Sequence, residues 1–440
     1  MMRKKIVVLG GGISGLGAAL LAKKKGFTVF LSDNSKLTAT TVQILKQHNI
    51  KYEECKHTFS SIISADEIII SPGIANDSSL VKKIDDFGIP IISEIEFAFR
   101  YTKAKIAAIT GTNGKTTTTN LLGFILKQAG YNVLVAGNIG VSLSNSIIEK
   151  EYDYIVLELS SFQLDRIKKF RSCVAILLNI SPDHLERYNN SFKSYTASKY
   201  KITQNQNKND FLILNTDDHH IKNIKTCAQK LPISIKKIQK QGCFFQNNKI
   251  IINLNNETMT IQELALQGKH NLYNSMAAAM AARVFEVNNT IIRKSMIDFQ
   301  NIEHRLEYVI TVHGIDFIND SKATNTNAAW YALESMKKDV IWIVGGVDKG
   351  NDYSALLEMV EKKVKSIICL GKVNEKIINA FKDHVDSIVQ ASNMNEAVKQ
   401  SYNLANTGDV VLLSPACASF DLFSNFEDRG MQFKREVRKL

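Results

Sequence analysis

A chain of 440 residues exceeds what one hydrophobic core comfortably fills, so two or three domains are expected. With 45% hydrophobic and 22% charged residues and no long polar or repetitive tract, the composition excludes a disordered or fibrous protein. The formal charge of +12 is spread along the chain and does not gather in one stripe, which speaks against a nucleic-acid partner; it suits small anionic substrates or simply reflects a Lys-, Ile- and Asn-rich composition. No apolar run reaches the roughly 18 residues of a membrane span, so no membrane partner is expected. Six cysteines, none in a C-x-x-C pair, argue against a zinc site or a disulfide framework and fit a reducing, cytoplasmic setting.

Residues 4 to 9 (KKIVVL) read as a short buried strand, followed by Gly10, Gly12 and Gly15 in G-x-G-x-x-G spacing and a helix-like run. A second strand, FTVFLSD, ends in Asp33. This is the pattern of a dinucleotide fold, in which glycines permit a tight turn against phosphate and the acid meets a ribose hydroxyl. The competing reading is that the glycines only let helix and strand pack closely. The basic, then apolar start imitates a signal peptide, but the strand and its glycines explain it better. Further on, DEIIISPGIA places Ser71 and Gly73 after another buried strand, where ligands sit in open α/β sheets. Residues 1–93 are expected to form one domain.

A second domain is expected over 94–298. It opens with the strand KIAAIT, the loop Gly111, Thr112, Asn113, Gly114, then Lys115, Thr116, Thr117 and a helix-like TTNLLGFILKQAG. The common phosphate loop carries a further glycine where this chain has Ile109. The order strand, glycine loop, lysine, threonine, helix nevertheless suits a triphosphate, because loop amides and the helix N-terminus face the phosphates. Lys115 is expected at the β/γ-phosphates and the Thr116 hydroxyl on Mg²⁺. Asn138, Glu158, Asp183 and His184 each fall at or just past a strand end, so Glu158 and His184 are candidates to share a divalent metal with Thr116.

From about 299 to 440 the alternation restarts, with DFIND, DVIWIVGG, VKSIICLG and DVVLLSPA each leading into a polar turn. The fold class expected is therefore α/β in three domains, each a mostly parallel doubly wound sheet, Rossmann-like at both ends with a central P-loop ATPase.

Taken together, TGTNGKTTT, GNIG, ELSSFQL, SPDHLERY, GKHN at 268–271, EHRLE at 303–307, NDSKATN at 319–325 and SPACASFD at 414–421 resemble the muramyl ligase family over nearly the whole chain. NDSKATN, SPACASFD and SPGIA at 71–75 are similar to its D-glutamate-adding branch. The TGTNGKT loop is that family's own form of the phosphate loop. The resemblance implies a cytoplasmic, monomeric enzyme of peptidoglycan precursor synthesis with three substrates, ATP, UDP-N-acetylmuramoyl-L-alanine and D-glutamate. ATP phosphorylates the substrate carboxylate, and the amine of D-glutamate displaces phosphate from the acyl phosphate.

The resemblance also implies roles for single residues. Lys115, His184 and Lys199 are the catalytic candidates; Thr116, Glu158, His184 and Lys199 hold metal, with two Mg²⁺ ions expected. Lys199 matches a lysine that the family carbamylates, against the alternatives of an exposed helix lysine or of neighbouring Lys201. Asn271, Arg305 and Asp320 match ATP contacts. Ser14, Gly15 and Asp33 match contacts to UDP, and Lys36 stands in for an arginine that this chain lacks at Ser35. Ser71, Gly73 and Asn138 complete the muramyl side; Lys322, Thr324, Lys349, Ser419 and Phe426 fall near D-glutamate. The alternatives are a sibling muramyl ligase or a folate-type polyglutamate ligase using another amino acid, a dinucleotide-dependent oxidoreductase suggested by Gly10–Gly15, and a GTPase suggested by NKND at 207–210. That last motif precedes its strand, on the wrong side of the sheet.

Overall fold

The computed structural model describes residues 4–266, 268–299, 303–348 and 350–440; the candidate Lys349 lies outside them. The strands form three sheets. The first holds β1 (Lys5–Leu9), β2 (Thr28–Ser32), β3 (Lys51–Glu53), β4 (Glu67–Ile70) and β5 (Ile91–Ser93), all parallel, in the order β3-β2-β1-β4-β5. Alternation sends Ile6 and Val8 of β1 into one core and Val7 and Leu9 into another, which is why KIVVL is apolar throughout.

The second sheet has nine strands, ordered β14-β13-β12-β11-β10-β9-β6-β8-β7. Its parallel part comprises β6 (Lys105–Thr110), β7 (Val133–Gly137), β8 (Tyr154–Glu158), β9 (Val174–Leu177), β10 (Phe211–Asn215), β11 (Gln229–Ser234) and β12 (Gly242–Gln246). Antiparallel β13 (Lys249–Leu254) and β14 (Glu257–Ile261) extend it. Their two-residue turns, Asn247–Asn248 and Asn255–Asn256, all have positive φ, as tight hairpins require of residues that tolerate the left-handed region.

The third sheet orders β15 (Glu307–Val312), β16 (Ile315–Asn319), β20 (Val410–Leu413), β17 (Val340–Val344), β18 (Val364–Leu370) and β19 (Ser387–Ala391), with only β15 antiparallel. Val340, Trp342 and Val344 face one core and Ile341 and Ile343 the other. The chain divides into two compact units: Met1–Leu264 with Tyr273–Asp298, holding the first two sheets, and Ala265–Leu272 with Phe299–Leu440, holding the third.

Candidate active site

Between β6 and the helix Lys115–Gln128 lies the loop Gly111–Gly114. Gly114 has φ +83°, and a Cβ there would fall 2.2 Å from Asn274 Oδ1, so only glycine fits. The loop is braced from outside. Asn113 N donates to Asn179 Oδ1 at 2.8 Å and Asn179 Nδ2 returns a bond to Asn113 O at 3.0 Å. The Thr112 hydroxyl lies 3.0 Å from both Ser181 O and Tyr195 Oη. Asn179, Tyr195 and Asn274 did not stand out in the sequence, and Ser181 was noted only as the start of SPDHLERY, because each acts through a fold contact. Thr116 and Thr117 are buried in the first turn of the helix.

Two lysines meet on one carbonyl oxygen. Lys115 Nζ donates to Gly111 O at 2.9 Å and Thr112 O at 2.8 Å, and Lys199 Nζ donates to the same Gly111 O at 2.8 Å. Lys199 is only 2% exposed, whereas Lys201 is bound to Asp165 Oδ1 at 3.3 Å with 38% of its side chain exposed. Lys199 is therefore the lysine that faces the loop. Burial first, and then the charge of Lys115, hold its amine well below the ordinary 10.5, against the pull of Asp183, Glu158 and Asp165.

Glu158, at the tip of β8, is 2% exposed. Its Oε1 accepts from Asn138 Nδ2 at 2.8 Å, while its buried Oε2 has no hydrogen-bond partner among the described residues. A carboxylate oxygen left bare in the interior is costly unless a cation completes it. His184 holds φ 53°, strained for a non-glycine residue; its Nε2 lies 3.8 Å from Asp183 Oδ1, its Nδ1 3.5 Å from Glu186 Oε1, and its ring packs edge-on against Phe162. Among the described residues no group of three His, Cys, Asp or Glu side chains gathers as a metal cage.

A cleft of about 550 Å³ opens beside Glu158, where β1, β4 and β7 end. Ser14, Asp33, Ser71, Gly73 and Asn138 line it, as do His57 and Gln163, which the sequence did not mark. Asp33 organises the turn: Oδ2 accepts from Gly11 N at 2.6 Å and Oδ1 from Ser35 N at 2.7 Å. Gly15 does not line the cleft; a Cβ there would fall 1.8 Å from Gly10 O, so its absence lets helix Ile13–Lys24 close on the turn. At this glycine the packing reading holds. Lys36 is exposed and is not among the lining residues. A larger hollow of about 720 Å³ lies at Lys105 and Tyr154, the opposite ends of β6 and β8. Parallel sheets bind ligands at their carboxyl ends, which favours the smaller cleft as the candidate site.

In the other unit, Asp320 follows β16 and is fully buried. Desolvation pushes its carboxyl up to about 6, against the pull of Arg305 and of bonds from Ser414 Oγ (3.0 Å) and Leu306 N (3.2 Å). Burial and then Arg305 also lower His270 to about 4, so the Arg305 charge acts on both groups. Arg305 Nε is itself buried without a partner among the described residues. Asn271, beside His270 in sequence, is buried. Lys322 Nζ lies 5.0 Å from the centre of the Phe426 ring, and Ser419 is 3% exposed. Thr324 precedes Asn325, the N-cap of helix Thr326–Ser335. Buried Arg429, missed in the sequence, ties the two motif turns by donating to Ser321 O at 2.8 Å and Cys417 O at 3.2 Å.

Residues 109–282 match the Mur ligase middle domain, residues 304–417 the Mur ligase glutamate ligase domain, and residues 5–80 the MurD N-terminal domain. Three α/β domains, the middle one carrying a glycine loop with two lysines on one carbonyl and a bare carboxylate, define an ATP-dependent acid–amino-acid ligase, and the chain belongs to the Mur ligase family. It is 51% identical over 446 residues to the UDP-N-acetylmuramoylalanine–D-glutamate ligase of Christiangramia forsetii, covering 100% of both chains. It is 49% identical to the ligase of the same name from Bacteroides fragilis, over 99% of this chain and 100% of that one. Within the family it stands with those D-glutamate ligases. A pseudomurein peptide ligase type C from Methanothermus fervidus, 22% identical with 99% of each chain covered, shares the fold at a TM-score of 0.63.

Proposed function

We propose that the enzyme joins D-glutamate to UDP-N-acetylmuramoyl-L-alanine, cleaving ATP to ADP and phosphate, as a step of cytoplasmic peptidoglycan precursor synthesis. The observation that carries this reading is a continuous path: the cleft residue Asn138 binds Glu158, Glu158 acts on Lys199, and Lys199 and Lys115 share the carbonyl of the phosphate loop.

The cleft residues Ser14, Asp33, Ser71, Gly73 and Asn138 seat the UDP-muramyl substrate, with its alanyl carboxylate toward Glu158. The amides of Gly111–Thr117 and the Lys115 ammonium hold the ATP phosphates, and the carboxylate oxygen attacks the γ-phosphorus as the bond to the β-phosphate oxygen breaks. Asn271, Arg305 and Asp320 hold the rest of ATP. Lys322, Thr324, Lys349, Ser419 and Phe426 receive D-glutamate, whose neutral amine attacks the acyl phosphate and releases inorganic phosphate. Lys36 has at most a minor part in UDP binding.

Glu158 Oε2, the Thr116 hydroxyl, His184 and a carbamate on Lys199 would hold Mg²⁺, which neutralises and aligns the phosphate oxygens when bound. An ammonium at Lys199 would repel it. Burial supplies the remedy, because a neutral amine adds to CO₂: the N–C bond forms, one proton leaves, and the cation becomes an anionic oxygen ligand.

The test is phosphate release from ATP, with UDP-N-acetylmuramoyl-L-alanine and each of D-Glu, L-Glu, D-Ala and L-Ala. Release should need Mg²⁺ and D-Glu. Equal or faster release with another amino acid would assign the chain to a sibling activity.

A further inference from the structure

Arg187 has no carboxylate partner among the described residues. Its guanidinium instead caps a turn of backbone: it donates to Pro72 O at 3.1 Å, Gly73 O at 3.4 Å and Ile74 O at 3.1 Å. Those residues form the wall of the cleft that follows β4. The back of the guanidinium lies 4.2 Å from the centre of the Phe162 ring, and the Phe162 ring packs edge-on against His184 at 5.5 Å. Arg187 is also the third residue of the short helix Leu185–Tyr188, for which His184 is the N-cap, and its N–H donates to His184 O at 3.1 Å. One side chain thus touches the substrate wall on its face and, through Phe162, the candidate metal residue on its back.

The contacts have a geometry that only a planar fork supplies. Three carbonyls in one turn point at one cation, and a guanidinium can serve them while stacking on an aromatic face; an ammonium cannot do both. Carbonyl oxygens converging on one another repel; the cation relieves that repulsion and supplements the turn's own bond from Ile74 N to Ser71 O at 3.1 Å.

We propose that Arg187 is a positioning residue. It holds the 72–74 turn in the shape that accepts the UDP-muramyl substrate, and it fixes that turn to the segment bearing His184. This inference rests on the reading of the cleft given above. Its signature is selective: the substrate bound in the cleft is affected directly, whereas ATP, held by the loop amides and Lys115 and reached from Arg187 only through Phe162 and His184, is affected little and D-glutamate not at all.

The experiment compares wild type, Arg187→Ala and Arg187→Lys by steady-state phosphate release, varying each substrate in turn, with melting temperature as a control. Arg187→Ala should raise KM for the UDP-muramyl substrate about tenfold or more, with KM for ATP and D-Glu within twofold and kcat lowered by less than that. Arg187→Lys should keep the melting temperature but recover little of the KM, because charge without the fork is insufficient. Two results would overturn the proposal: all KM values within twofold of wild type in Arg187→Ala, or full recovery by lysine. Wild type that releases no phosphate with D-Glu would refute the assignment of the reaction, a separate failure from that of Arg187.

Discussion

Burial decides the chemistry of single side chains here. Lys199 is enclosed beside Lys115, and burial followed by that neighbouring charge holds its amine well below the ordinary value, which favours the neutral form that the proposed carbamate requires. Lys199→Ala should lower activity by about 10²- to 10³-fold, with partial recovery on adding a short carboxylate such as formate. Full activity without the additive would remove Lys199 from the mechanism. Asp320 shows the opposite sign, a carboxyl whose folded value rises from 3.8 to about 6. The stability that comes from its protonated form is complete below about 4 and is lost as pH climbs through about 6. Asp320→Asn should therefore stabilise the protein by up to ~3 kcal/mol at pH 7.5 and leave it unchanged near pH 4. Melting curves of the two proteins at both pH values check this; a variant no more stable than wild type at pH 7.5 would mean that Arg305 and the hydrogen bonds already offset the burial.

Single elements show which glycines matter and why. In the first turn, Gly12 and Gly15 look alike in sequence but not in space. A Cβ on Gly12 meets nothing within 4 Å, whereas one on Gly15 collides with Gly10 O. Gly15→Ala should force the helix off the sheet and cost about 2 kcal/mol, seen as a lower melting temperature. Gly12→Ala should leave the melting temperature within about one degree and disturb only substrate binding in the cleft. Equal destabilisation by both would mean that the turn, and not the helix approach, is the constraint. The strand ends at Thr110, Gly137, Glu158 and Leu177 were legible because each apolar run stops at a glycine, an acid or a polar loop. The hairpins β12–β14 were passed over, although two Asn-Asn turns announce them.

At the scale of the molecule, each compact unit has its own buried clusters. Calorimetry should resolve two unfolding components, or a van't Hoff enthalpy clearly below the calorimetric one; a single two-state transition would show that the units melt as one. The helix Lys269–Val284 begins in one unit and continues in the other, so a motif read along the chain as GKHN falls at their junction in sequence.

Sequence alone determined the alternation of strands and loops, the phosphate loop and the identity of the residues at strand ends, because these depend on local periodicity and on residues within a few positions of one another. It could not decide between Lys199 and Lys201, between Gly12 and Gly15 as cleft or packing glycines, or single out Arg187, Arg429, Asn179 and Tyr195. Gly15 is decided by Gly10, five positions away, and the other roles by partners from 12 to 115 positions away, brought together only when the sheets close. Burial, convergence of two lysines on one carbonyl and an orphaned carboxylate oxygen are properties of packed space, and no local pattern encodes them.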